Sequence, residues 1–530
     1  MRRNDQQRDR TQEDPGGGDQ RAAAARAAGG REPRGAGRQN RARLRRSVAA
    51  AGRRPGPAAE HRRAGPPGPH HRRPEPHRLW GSGIAVELAL GTFPVEHVTL
   101  GSPPGWAGGR LVVDPARVRA LVRDDPRIRE VAVDVVAPGE PARIIHVRDI
   151  IEPRIKVDGP GHTYPGICGH PVETVGAGVT HRYAGFGVLI ASEALPHIRR
   201  TVSAATDSLI DMSGPGAVTV YSTLRYLVLT ITTAPDLELT EWNEALLGAG
   251  HRVAADLAAL VRGQVPPRQT RYALDRPAED RPRVVHVHTL NASMVPGIGT
   301  GIYGYTRHAL PVLLHPNEIL DGAIAGDAVV TYPGKCSWLH VNNPALQALY
   351  ARDGRDVSWL GSVVARTRWG SLREKQLSAH QTVKTAQMLG AQGALVTWNH
   401  GGNDLLEVML TIQGLERAGI TTTFLTIESD IKVVRMTPAL AETGSAEPPL
   451  LFSVPEARAI VSTGTLAPAE ALPAMARVVG GTAVVFDQER PDDRTPAAGP
   501  LDLEALSGAY SPIFGHFDNY GLGAQSYFDY

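Results

Sequence analysis

Apolar positions change rhythm near the middle of this chain. From Ile84 to about Thr233 they come in short runs cut by glycine and proline: Ile84–Leu90, Val95–Leu100, Leu111–Val113, Val131–Val136, Ile144–Val147 and Leu227–Thr232. Such runs predict strands, with a turn at Pro138-Gly139-Glu140 and a helix at Pro115–Val122 that Asp114 caps. A longer helix is predicted over Glu241–Val261, with an apolar stripe through Ala245, Leu246, Ala255, Leu257 and Leu260. Beyond it the period alternates. Val284–Thr289, Pro311–Leu314, Val357–Val364, Ala394–Thr397 and Thr421–Leu425 read as strands, and Pro344–Arg352, Leu372–Leu389 and Asp404–Ala418 as helices. Alternation of this kind predicts a mostly parallel sheet covered by helices, with ligands bound beyond the strand carboxyl ends. The expected fold class is therefore α/β: a β-rich domain over 84–235, an α/β domain over 236–490, and a linker with an aromatic tail over 491–530. Tyr510, Phe514, Phe517 and Tyr520, with Tyr527, Phe528 and Tyr530, make that tail an expected interface element.

Composition alters the picture at the amino end. The chain has 530 residues and a net charge of +3. The first 80 hold 20 arginines, no lysine and 8 acidic residues, so the rest keeps 37 of the 57 basic and 46 of the 54 acidic residues. The body is acidic. Residues 1–80 are arginine, alanine, glycine and proline with almost no large apolar side chain, and disorder is expected there because too little surface can be buried to offset ordering entropy. No aromatic is interleaved before Trp80, so a nucleic-acid partner is not expected. No apolar run approaches the length that spans a bilayer, and two cysteines suit a reducing compartment, so the expectation is a cytoplasmic chain without a membrane partner.

Candidate chemistry concentrates in three places. Pro311–Pro344 mixes apolar runs with dense turn signals, and Cys336-Ser337 follows the Pro333-Gly334 turn as a nucleophile, a self-processing site, or a small buried apolar thiol. In Ile151–Gly161, Arg154 and Lys156 face an anionic substrate or lie on a solvated strand face. The loop Asn399-His400-Gly401-Gly402-Asn403 follows a strand and opens a helix at Asp404, so its backbone donors suit an anion, although it lacks the dinucleotide-binding glycine spacing. His340, His400 and Asp404 are candidate general acids or bases. His162, Cys168 and His170 fall short of the four ligands of a structural zinc site, and no metal is predicted.

Several ordered blocks carry a resemblance. Val136–Glu140 with Arg143-Ile144, Ile151–Gly161, Thr174–His181, Ile210–Gly214, Asp321–Ile324, His340 with Asn342-Asn343-Pro344, and Ile460–Gly464 are together similar to the alpha/beta proprotein subunit of component B of glycine/sarcosine/betaine reductase. The similarity extends from about Ile84 to about Val485. It implies an oxidoreductase component acting on a small carboxylated amine, with a selenoprotein or thiol subunit and a component A-like carrier as partners. It also implies a pyruvoyl group made by self-cleavage at a cysteine. That cysteine's position falls at Ala328 here, with Cys336 eight residues beyond, so one uncleaved chain without cofactor is expected. A divergent hydrolase or lyase on the same scaffold and a non-catalytic assembly subunit are the alternatives.

Overall fold

The computed structural model describes residues 86–167, 169–201, 209–213, 219–274, 277–290, 301–304, 310–327, 336–367, 371–399 and 404–426, with strands Val433–Arg435, Leu451–Ser453, Ala459–Thr463 and Gln525–Phe528. The expectations for residues 1–80, Cys168, Ala328, His400, Gly401, Gly402, Asn403 and most of the aromatic tail lie outside these residues.

The fold is mixed α/β. Two four-stranded sheets build the first part. One runs Arg268–Tyr272, Leu88–Pro94, Gly178–Ala184, Arg154–Asp158; the other runs Ile128–Val136, Arg225–Thr233, Phe186–Ala191, Val147–Ile151. Helix α1 (Pro115–Arg123) starts where Asp114 accepts from the Ala116 and Arg117 amides at 2.9 and 3.3 Å. Helix α2 (Pro196–Thr201) is short, whereas α3 (Leu239–Ala259) buries Trp242, Leu246, Val253 and Leu257 against both sheets. Gly250 permits this approach: a Cβ there would stand 2.5 Å from Ile190 and 2.8 Å from Ile151. The helix and the strand Arg268–Tyr272 both follow residue 235, so the first core is completed by chain from beyond it.

The second part is a seven-stranded sheet ordered Val312–Leu314, Ser358–Arg366, Arg283–Leu290, Gly393–Trp398, Thr421–Thr426, Ala459–Thr463, Gln525–Phe528. The five inner strands are parallel and the two edge strands antiparallel. At the far edge Tyr527 of the aromatic tail pairs with Val461. Helices α4 (Pro316–Leu320), α5 (Ser337–Val341) and α6 (Pro344–Tyr350) follow one another between the first two strands of that order. Helices α7 (Leu372–Met388) and α8 (Asp404–Arg417) are the crossovers, packed on each other over Val285, Val287, Val363 and Val396. Ser371 and Glu374 close a capping box at the start of α7, each satisfying the other's backbone amide. Among the described residues no helix is long and apolar enough to cross a membrane.

Candidate functional site

Arg154 and Lys156 are engaged by partners within the chain itself. Both lie on an edge strand yet are almost fully buried, because the strand's exposed-looking charges find partners brought in from the second part of the chain. Arg154 pairs with Glu152 at 2.7 Å and donates to the carbonyls of Leu320 and Val341. Lys156 is held by Asp321, whose carboxylate also accepts from Thr180 Oγ1 at 2.6 Å and the Gly176 amide at 2.9 Å. Arg182 and Asn342 extend the network: Arg182 donates to Asn342 Oδ1 at 2.8 Å, and Asn342 donates to Glu152 at 2.9 Å. These contacts fasten the first sheet to α4 and to the end of α5.

Helix α5 is the junction of the two parts, and every one of its residues is buried. Its first residue, Ser337, meets Asp149 on the second sheet. Asp149 Oδ1 accepts from the Ser337 and Ile150 amides at 2.8 Å each, Oδ2 lies 2.7 Å from Ser337 Oγ, and Ser337 Oγ accepts from the Gly326 amide at 3.0 Å. Residues 326 and 337 are thereby pinned at one point. Position 326 is tight: a Cβ there would stand 3.0 Å from both Asp149 Oδ1 and the Ser337 amide, so a larger residue would have to push the pin apart by a few tenths of an ångström. Burial lifts the Asp149 carboxyl to about 7; hydrogen bonds from Ser337 and Ile150 oppose the rise and Asp327 adds to it.

Cys336 precedes this pin as the N-cap of α5. It is 1% exposed, packed among Val147, Ile150 and Leu189, with Sγ 3.7 Å from the Tyr221 hydroxyl. Burial, with the nearby Asp149, pushes its thiol up to about 12. At neutral pH it is a thiol, not the thiolate that attacks carbonyls. Native protein at pH 8 is therefore expected to leave Cys336 unmodified by iodoacetamide over hours and to label fully in urea, as peptide mass spectrometry would read; rapid native labelling would contradict the burial.

His340, on the opposite end of α5, meets His288 of the strand Arg283–Leu290 edge-on, ring centroids 6.0 Å apart. The same sheet face carries His286, Ser362 and Thr397, and Leu290 pairs with Arg366 near the strand's carboxyl end. Thus the structure unites His340 and Cys336 of the sequence candidates around α5, adds Asp149, Asp327, His286 and His288, and gives Arg154 and Lys156 to the supporting network. Asp404 begins α8. The missed residues left one signal: in His286-Val287-His288 two histidines recur at period two within an apolar strand, which places them on one face. Among the described residues no group of three or more His, Cys, Asp or Glu side chains could hold a metal ion. A concavity of about 700 Å³ lies elsewhere, over the second sheet, lined in part by Asp134, His146, Glu193 and Thr230; none of the candidate residues borders it.

Comparison with known proteins follows this geometry. The chain is 33% identical over 409 residues to the betaine reductase complex component B subunit alpha of Peptoclostridium acidaminophilum, covering 74% of this chain and 88% of the relative. It is 29% identical to the sarcosine reductase complex component B subunit alpha of the same organism, covering 74% and 89%. It is 27% identical to that organism's glycine reductase complex component B subunits alpha and beta, covering 82% and 100%. No solved structure matches. The profile of the glycine/sarcosine/betaine reductase component B subunits matches residues 86–489, and the chain belongs to this family.

Proposed function

We propose that the chain is a component B subunit of a reductase complex that binds a small carboxylated amine for reductive C–N cleavage. A selenol or thiol subunit and a component A-like carrier supply the two electrons. The observation that supports it is the collinear match of residues 86–489, which includes every block that builds the α5 junction and its network. The partner provides the nucleophilic chalcogen, since Cys336 is buried and held as a thiol.

The family's pyruvoyl group does not fit these residues. The resemblance puts its precursor position at Ala328, and the one cysteine nearby, Cys336, is buried at the N-cap position of α5. No step is therefore routed through a carbonyl cofactor. Capturing an amine as a Schiff base needs an N–H, which betaine lacks, so an alanine at 328 suits the fully N-methylated end of the substrate series best.

Two measurements test the reading. The chain, co-purified with the partner subunits of its complex and given a dithiol reductant, is expected to release trimethylamine from betaine; failure to release any amine from betaine, sarcosine or glycine would sink it. Intact-mass spectrometry with a hydrazine probe is expected to show one unlabelled chain. Two fragments meeting at Lys335–Cys336, with the label on the second, would restore a pyruvoyl enzyme.

A further inference from the structure

Arg154 keeps one donor in reserve. Its terminal nitrogens reach Glu152 and the carbonyls of Leu320 and Val341, but the buried Nε–H has no hydrogen-bond partner among the described residues. The same holds for His251 Nε2 on α3 and for His170 Nδ1. All three residues, with Thr163 and Tyr164, line one small cavity whose volume of about 10 Å³ is room for a single water molecule. Its walls are firmly built. The Tyr164 ring meets His251 edge-on with centroids 4.7 Å apart, and Thr163 Oγ1 donates to the Arg154 carbonyl at 3.1 Å. The turn that carries His170 closes on itself, the Gly166 amide donating to the His170 carbonyl at 3.2 Å and the His170 amide to the Ile167 carbonyl at 3.0 Å.

A group suited to this cavity is neutral. The Arg154 charge is already paired with Glu152 at 2.7 Å, and burial, with His170 nearby, pushes the His251 pKa down to about 3, so no positive charge is left over for an anion. A guanidinium N–H on the wall repels a metal cation. Arg154 Nε always carries a hydrogen, whereas His251 Nε2 and His170 Nδ1 can each be bare or carry one while the rings stay neutral. Water has two hydrogens and two lone pairs. Having accepted from Arg154, it can give both hydrogens to two bare nitrogens, or give one hydrogen and accept another. Only two inward N–H groups together would exceed its lone pairs, and that one pair of tautomers is forbidden when water is bound.

We propose that the cavity is a binding site for one neutral molecule that both donates and accepts, a water, held by Arg154 Nε, His251 Nε2 and His170 Nδ1. The water completes the donor set of the guanidinium that fastens the first sheet to α4 and to the end of α5. It also anchors the turn from Thr163 to His170 on α3. Neither role depends on the reductase reading.

A high-resolution crystal structure of the full-length wild type tests the site. One density peak is expected at hydrogen-bond distance, about 2.7–3.2 Å, from all three nitrogens. A cavity without such a peak, or a peak at the roughly 2.0–2.3 Å of a metal–ligand bond, would overturn the proposal. The anchoring role has its own measurement. His251→Phe keeps a ring against Tyr164 but removes Nε2, whereas His251→Gln offers an amide near the same place. In hydrogen exchange the Gly166 and His170 amides are expected to open at least about tenfold faster in His251→Phe and near the wild-type rate in His251→Gln. Equal exchange in His251→Phe and wild type would show that packing alone holds the turn, and the anchoring role would fall.

Discussion

Replacing Asp321 by alanine is expected to destabilise the protein by about 3–5 kcal/mol, the usual cost of stranding one partner of a buried ion pair. Asp321 is 0% exposed and Lys156 8%, so the ammonium left behind cannot reach water without opening the packing around α4. Thr180 Oγ1 and the Gly176 amide lose their acceptor at the same time. Adding Lys156→Met to Asp321→Ala removes the stranded charge and is expected to recover part of the loss. Urea denaturation of both variants measures this. A single variant within about 1 kcal/mol of wild type would show that the pair contributes little.

Asp149→Asn is expected to gain on the wild type as pH rises. The Asp149 carboxyl has a folded pKa of about 7 against an ordinary 3.8, so between those values the unfolded chain releases a proton that the folded chain keeps. The group's contribution is fully present below about 3.8, falls as pH rises, and is gone above about 7. At roughly 1.4 kcal/mol per unit, wild-type stability relative to the variant drops by about 2–3 kcal/mol between pH 5 and pH 8. Asparagine is close to the acid in shape, its oxygen placed to accept from the Ile150 and Ser337 amides, while its amide nitrogen faces Ser337 Oγ, which donates to Asp149 Oδ2 in the wild type and must turn its hydrogen away in the variant. Denaturation curves collected from pH 5 to pH 8 give the test, and two parallel stability profiles would mean that Asp149 does not titrate in this window.

Much of the local structure was legible in the residues. Asp114 caps α1, the alternating second half is a sheet with a parallel centre, and Pro344–Tyr350 is a helix entered through Asn343, whose side chain accepts from the Ala345 amide at 2.9 Å. These features follow from neighbours in sequence: a cap needs one oxygen near two amides, and a strand shows its period in a few residues. The family blocks were legible too, because their residues are recorded in order along the chain.

Their roles were not. Arg154 and Lys156 look like surface charges until Asp321, Leu320 and Val341 arrive from more than 160 positions away to bury them. Cys336 looks reactive beside a turn, but reactivity depends on the medium around the sulfur, and the apolar wall of Val147, Ile150 and Leu189 comes from distant strands. Helix α5 is five residues long and no propensity marks it; it exists because Asp149 holds one end and His288 meets the other. The sequence by itself determined the elements and the family, since both are written in local order. Only the tertiary structure decided which polar groups are buried and which partners they meet, because burial and partnership are set by residues far apart in the chain.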